Sequence, residues 1–344
     1  MGGIFRSRGK PLRRSGRRNL VVGTSRADSI TYCTSLTAEL DGVVESALAV
    51  IYRCEFGVWC AGWRDDGQMS KFLELVSAVP DKKRIYHYTS QAGLLGIVQS
   101  KALWASSIRH LNDSVEFGYS IELVRENLGR RLGAERGPWN GFYGEVLNSL
   151  GAVEGQMLFV ASFSEEGDLL SQWRAYTPNA IGFSLGFESR DLLHIAAGRG
   201  FGLLRCVYDR LEQDALLDDL IDTAGNDAMR QGALSALEAF LLGFYMLAPA
   251  FKHPSFSEER EWRLVSGLVS PDDAATKFRR GKSMLIPYSE IELTDDRGKM
   301  PIGEIIVGPT PHMHEAITSV RYLAISRGLA SCRVEGSRTP YRAW

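Results

Sequence analysis

The densest chemistry in the chain lies in Phe256-Ser-Glu-Glu-Arg-Glu-Trp-Arg-Leu-Val265. Read as a strand from Glu259 to Val265, it puts Glu259, Glu261 and Arg263 on one face and Arg260, Trp262 and Leu264 on the other. Two carboxylates beside a guanidinium can move protons or steady a developing positive charge. A solvated, salt-bridged edge is the other reading of such a run. Its place between Phe251-Lys-His-Pro-Ser255 and an apolar continuation favours a strand inside a sheet, where buried carboxylates need a reason.

Two earlier stretches offer partners. Arg84-Ile-Tyr-His-Tyr-Thr-Ser90 has strand character and runs into Gln91-Ala-Gly-Leu-Leu-Gly-Ile-Val98, whose apolar residues have helical spacing. Thr89 or Ser90 is the predicted N-cap, which sets His87 near a helix N-terminus with unpaired N–H groups. A strand-to-helix junction holding a satisfied histidine is the plainer alternative. Met157 to Ser164 is a strand ending in Ser162-Phe-Ser164, with both serines on one face. Leu170-Ser-Gln-Trp-Arg-Ala-Tyr176 follows at once, so Trp173 and Tyr176 stand as an aromatic wall or as core residues.

The elements that must position these groups alternate without a strict βαβ rhythm, so the predicted class is α+β. Helices are expected over 91–100, from Ser114–Glu116 to about Arg131, near 143–150, over 169–176, once or twice within 211–248, and from Pro311 to Arg327. Ahead of the second of these, Asn112 and Asp113 are turn and cap residues. Further strands are expected at Ala102–Ser106, Ile181–Phe187, Leu203–Tyr208, Ser283–Pro287 and Ile302–Val307, with Cys332–Val334 as a last one. Residues 1–28 read as a basic flexible leader. Residues 29–80 read as a helical lead-in that packs on the main body through Trp59 and Trp63, and 81–344 as a single domain.

Composition narrows the function. The 344 residues are 44% hydrophobic and 24% charged, with net charge −1, which is ordinary globular material. The first 26 residues hold eight Lys or Arg and no acid. Removing those eight from the 40 basic residues leaves 32 against 41 acids, a balance of −9. That argues against a dedicated nucleic-acid groove in the folded part and leaves the leader as a candidate for weak nucleic-acid contact. Five scattered cysteines form no Cys-x-x-Cys pair, so neither zinc nor a disulfide framework is signalled, and a reducing, cytoplasmic setting is expected. No apolar run predicts a membrane span. His312 and His314 lack a third metal ligand, and no metal is predicted. Nucleotide-loop and serine-hydrolase glycine motifs are also missing.

Taken in order, Tyr86-His-Tyr-Thr-Ser90, Leu111-Asn-Asp-Ser-Val-Glu116, Ser162-Phe-Ser164 with Trp173 and Tyr176, the Gly182–Phe187 strand, Glu259-Arg-Glu-Trp-Arg263 and Glu304-Ile-Ile-Val-Gly308 resemble the bacterial family catalogued as domain of unknown function 2971, over about 84–330. More distantly, the set is similar to the ADP-ribosyltransferase superfamily. That resemblance implies a split, mainly antiparallel sheet flanked by helices, and NAD as substrate. It implies His87 on the adenosine ribose, with Tyr88 beside it, and Thr89 or Ser90 on the nicotinamide side. Ser162 (with Ser164) or Tyr176 takes the middle motif position, and Tyr176 or Trp173 stacks on nicotinamide. Glu261 faces the oxocarbenium-like transition state, and Glu259 orients or deprotonates an acceptor. The acceptor could be protein, nucleic acid or water. A catalytically silent nucleotide- or nucleic-acid-binding module is the alternative expectation.

Overall fold

A strand has two edges, yet Phe159–Ser164 (β5) is hydrogen-bonded to three other strands. Glu261–Ser266 (β8) pairs along one whole edge. The other edge is shared: Ala102–Ser107 (β4) takes its start, at Phe159 and Val160, and Arg84–Ser90 (β3) takes its end through the single pair Tyr86↔Ser164. Between these contacts β3 and β4 diverge, and the sheet opens.

The structure, a computed structural model, describes residues 64–65, 68–69, 71–110, 115–134, 139–153, 157–176, 181–231, 233–281 and 283–340. All of them belong to the second of the two units into which the chain divides, Gly42–Trp344. The leader 1–28, residues 29–63 of the helical lead-in (Trp59 and Trp63 with them) and the Leu111–Ser114 turn lie outside the described residues.

Arg64–Asp65 (β1) and Gln68–Met69 (β2) form a small ladder ahead of helix Lys71–Val76 (α1). The main sheet runs β12-β11-β6-β3-β5-β4-β10-β9, with β8 and β7 branching from β5. Here β6 is Gly182–Glu188, β7 Phe201–Arg205, β9 Lys277–Arg280, β10 Leu285–Glu292, β11 Ile302–Val307 and β12 Arg333–Gly336. Pairing is antiparallel except for β11 with β12. The fold is thus α+β, an open, mainly antiparallel sheet flanked by helices.

Alternation sorts the strands onto two cores. On one face Val160, Leu204 and Val265 meet α1, Val115–Ala134 (α3), Asn140–Val153 (α4), Arg210–Gln231 (α7) and Ala233–Leu247 (α8). On the other, Ile85, Leu103, Phe163, Leu185 and Leu264 meet Gln91–Ser100 (α2), Ser189–Ala197 (α6) and Met313–Ser326 (α9). Leu170–Tyr176 (α5) covers a third, smaller cluster of Tyr88, Trp173 and Ile306. No helix among the described residues is long and apolar enough to cross a membrane.

The expected elements shift at their ends for local reasons. The polar strand begins at Glu261 rather than Glu259, because Glu259 closes a 3-10 turn, Pro254–Glu259, and Arg260 takes a left-handed conformation with φ 42°. Helix α6 and edge strand β9 were not expected.

Tyr86 shows how tightly the sheet is fitted beside the opening. Its ring lies across β6, and its hydroxyl donates to Glu304 Oε2 at 2.7 Å. A Cβ at Gly186 would meet the ring at 2.8 Å and one at Gly167 at 2.6 Å, so the ring has no side to move toward. Gly186→Ala should cost about 1–3 kcal/mol as overpacking. Gly96→Ala, in the interior of α2 with open space around it, should instead stabilise by about 0.5–1 kcal/mol. Urea midpoints check both signs.

Candidate functional site

Glu261 opens β8 opposite Ser164, and Arg263 follows opposite Ser162, all on the face of Val160 and Val265. Both side chains are buried. Arg263 Nε donates to Glu261 Oε1 at 2.8 Å and Nη2 to Oε2 at 3.2 Å. Arg263 Nη2 also donates to Glu116 of α3, and Nη1 to the Pro249 carbonyl at 2.8 Å. Lys252 completes the group: its ammonium reaches Glu261 Oε2 at 2.5 Å, Glu116 Oε1 at 3.2 Å and Glu259, and it sits 5.1 Å from the Phe256 ring centroid.

Backbone carbonyls and helices hold this cluster in place. Buried Gln213 of α7 donates through Nε2 to the Val207 and Lys252 carbonyls, and the Glu261 N–H donates to the Tyr208 hydroxyl. The left-handed Arg260 lets Glu259 and Glu261 reach the same ammonium from a turn and a strand. Such a conformation is costly for a residue with a side chain and recurs at functional sites.

Three carboxylates against two cations leave the cluster with one negative charge in excess. Burial opposes ionisation of Glu261, but Arg263 and Lys252 outweigh it and hold the carboxyl down at about 2. Glu259, with its side chain 20% exposed, goes the other way: burial and the neighbouring Glu261 and Glu116 raise it against the pull of Lys252. Burial lowers Lys252, yet the three carboxylates carry it above its ordinary value. Glu259 is thus the most accessible of the three acids and the one whose carboxylate the two cations compensate least. Tyr176, 42% exposed at the end of α5, stands in the field of the same cluster; desolvation first, then Glu261 and Glu259, raise its phenol.

Glu261 gives a pH signature. Its folded pKa lies below the value in an unfolded chain, so in acid the unfolded chain takes up that proton first. The stability it contributes is complete above its ordinary range and is lost as pH falls from roughly 4.5 to about 2. Urea midpoints from about pH 6 down to about pH 3 should fall more steeply for the wild type than for Glu261→Gln. Parallel curves would contradict the assignment.

The other predicted residues are distributed around the opening. His87 Nδ1 lies 2.9 Å from the Ser162 carbonyl oxygen, on the edge of β5 that β3 and β4 leave uncovered. Its ring packs 5.7 Å from Phe163, so strand alternation sets it on the opposite face from Glu261. Burial lowers its pKa, and the Ser162 hydrogen bond partly restores it. Ser90 is the N-cap of α2, accepting from Gly93 N at 3.2 Å. Thr89 packs against the same turn, where a Cβ on Gly93 would fall 1.9 Å from its hydroxyl oxygen.

Tyr88, Ser164 and Trp173 are engaged in fixing the loop after β5. Tyr88 donates to the Glu166 carbonyl and accepts from Leu169 N. Ser164 donates to the Glu259 carbonyl at 2.7 Å and accepts from Glu166 N at 3.1 Å. Trp173 is fully buried, edge-on to Tyr88 at 4.8 Å, with Nε1 donating to Asp168 at 2.7 Å. Neither face of that indole is open to a ligand. Ser162 and Tyr176 are predicted contacts that combine exposure with the Glu261 side.

Glu116 and Lys252 belong to the cluster although neither was expected there. Glu116 had been read as a helix opener and Lys252 as part of the approach to the strand. Among the described residues no group of His, Cys, Asp or Glu could hold a metal ion.

A family model described as "Protein of unknown function (DUF2971)" matches residues 172–264, a shorter span than 84–330. It runs from α5 to β8 and takes in Tyr176, Lys252, Glu259, Glu261 and Arg263, and leaves out His87, Ser162 and Glu116. No curated protein and no solved structure matches the chain.

Proposed function

We propose that the face of β5 and β8 binds NAD and cleaves its nicotinamide–ribose bond, as an ADP-ribosyltransferase or NAD glycohydrolase. The observation that carries this reading is the buried cluster of Glu116, Glu259 and Glu261 with only Lys252 and Arg263 to balance it. A fixed site with one excess negative charge favours positive charge that appears during reaction, as it does on the ribosyl group when nicotinamide leaves. Glu261 is the anchored carboxylate, and Glu259 is the accessible one that orients or deprotonates the acceptor. Tyr176 supplies the stacking face and Ser162 a hydroxyl on the same side. His87 acts from the other side of the sheet, by holding the Ser162 carbonyl at the opening.

A second reading, a silent nucleotide-binding module, has its own observation. Both Glu261 oxygens are already engaged by Arg263 and Lys252. Incubating the full chain with NAD and measuring nicotinamide by chromatography, alongside the NAD-dependent shift in Tm, separates the two. Release with stabilisation supports cleavage; stabilisation without release supports the silent module. Neither signal would remove NAD from the account.

A further inference from the structure

The wing beyond the opening carries a feature that the NAD reading does not use. From Lys277 to Ser289 the sequence holds Lys277, Arg279, Arg280 and Lys282 and no acid, in a folded part that is acidic on average. Strand β9 is the outermost of the wing β4-β10-β9. The pairs Tyr288↔Ser106, Tyr288↔Lys277, Arg279↔Ile286 and Glu290↔Trp104 fix which side chains share a face. Trp104, Ser106, Tyr288, Lys277 and Arg279 all lie together.

Two groups on that face are only partly engaged among the described residues. Trp104 is 45% exposed although it stands in a strand paired on both sides, and its ring lies 4.5 Å from that of Tyr288 at 32°. Arg279 is half-buried and donates to Ser106 Oγ at 3.0 Å, with no carboxylate of the described residues in salt-bridge reach, whereas Lys277 beside it pairs with Glu290. An indole face and an uncompensated guanidinium on one flat surface match a base and its phosphate: the ring stacks, and the planar fork takes the phosphate oxygens.

We infer that the Trp104–Tyr288–Arg279 face of this wing binds single-stranded nucleic acid, stacking a base on Trp104 and holding a backbone phosphate with Arg279. A duplex hides its base faces and is not the ligand. The exposed apolar residues Phe278 and Leu285 alternate onto the other side of the hairpin, away from Arg279, so a lipid surface would not engage the two sets together. Through Ser106↔Val160 this face continues that of Ser162 and Glu261, but the binding does not depend on NAD chemistry.

Fluorescence anisotropy of a labelled 20-nucleotide single strand, titrated with the full chain over a range of salt, tests this. The basic leader adds the same background to every variant, so differences between variants carry the result. Trp104→Ala should weaken binding roughly 5- to 100-fold, and Trp104→Phe should restore most of it. Arg279→Gln should lower affinity and reduce the slope of log affinity against log salt by about 0.7, the value for one phosphate on a single strand. Tm and near-ultraviolet circular dichroism report whether each variant is folded. Unchanged affinity in either folded variant overturns the proposal. So does binding of poly-glutamate or of phosphatidylserine vesicles in place of the single strand.

Discussion

Glu261→Gln is expected to slow nicotinamide release by about a hundred- to a thousand-fold, the range seen when one preorganised electrostatic group is removed from an active site. The amide keeps the size of the side chain and one acceptor for Arg263, but it removes the anchored negative charge. With Gln at 261 the cluster holds two carboxylates and two cations, so the excess that favours a ribosyl cation is gone. Binding of intact NAD should change far less, because the charge it opposes develops only in the transition state. Glu259→Gln should behave differently. It removes the same unit of charge from the cluster, but from the accessible edge, where the carboxylate pairs with Lys252, and it leaves the anchored Glu261 in place, so hydrolysis by water should suffer less than transfer to an acceptor. Rates are compared at a temperature where Tm shows each variant folded. Undiminished release by folded Glu261→Gln would end the mechanism proposed for it.

Arg263→Met should be the most destabilising of the single changes considered, by about 3–5 kcal/mol, because it strands a buried charge. The methionine fills the stem's volume, so the loss is electrostatic rather than a cavity. It leaves Glu116 with Lys252 alone and Glu261 without its two guanidinium hydrogen bonds, and it frees the Pro249 carbonyl. Arg84→Met is the comparison. Arg84 pairs with Glu188 at 2.8 Å and lies 3.8 Å from Glu304, but its side chain is 24% exposed, so about 1 kcal/mol or less is at stake. Urea denaturation of the two variants should differ by at least about 2 kcal/mol. Equal losses would mean that the cluster around Arg263 is well hydrated.

Local signals in the sequence carried much of the fold. The run from Arg84 to Val98 gave strand, cap and helix, and Ser90 caps α2 as its side-chain chemistry requires. The Ile302–Val307 strand also stands where it was expected. Helix α6 went unnoticed although Leu192, Ile195 and Ala196 have helical spacing; at nine residues it offers barely two turns of pattern. Strand β9, Lys-Phe-Arg-Arg, has the charge of an edge and little of the apolar signature of a strand.

The site was legible only in part, for a physical reason. Glu261 and Arg263 announce each other by strand spacing, so their pairing could be expected. Glu116 reaches Arg263 across 147 residues, and nothing near either residue encodes that contact. Trp173 looked suited to stacking because an indole can serve a ligand or a core equally well. Its bond to Asp168 and the tail residues Ser337, Arg338 and Thr339 on the same carboxylate commit it to the core. His87 could be assigned to a strand, but its face depended on which strand lay beside it. The register Tyr86↔Ser164 puts Tyr86, not His87, in the row of Glu261.

The central claim is that the excess negative charge around Glu261 is there to meet the nicotinamide ribose. A crystal structure of the full chain with a carbocyclic NAD analogue, which cannot lose nicotinamide, tests it most directly. The account predicts the nicotinamide ring against Tyr176 and the adjoining ring carbon facing Glu259 and Glu261, with the rest of the dinucleotide along the opening between β3 and β4. A dinucleotide bound elsewhere, or one whose nicotinamide end points away from Glu261, would contradict it.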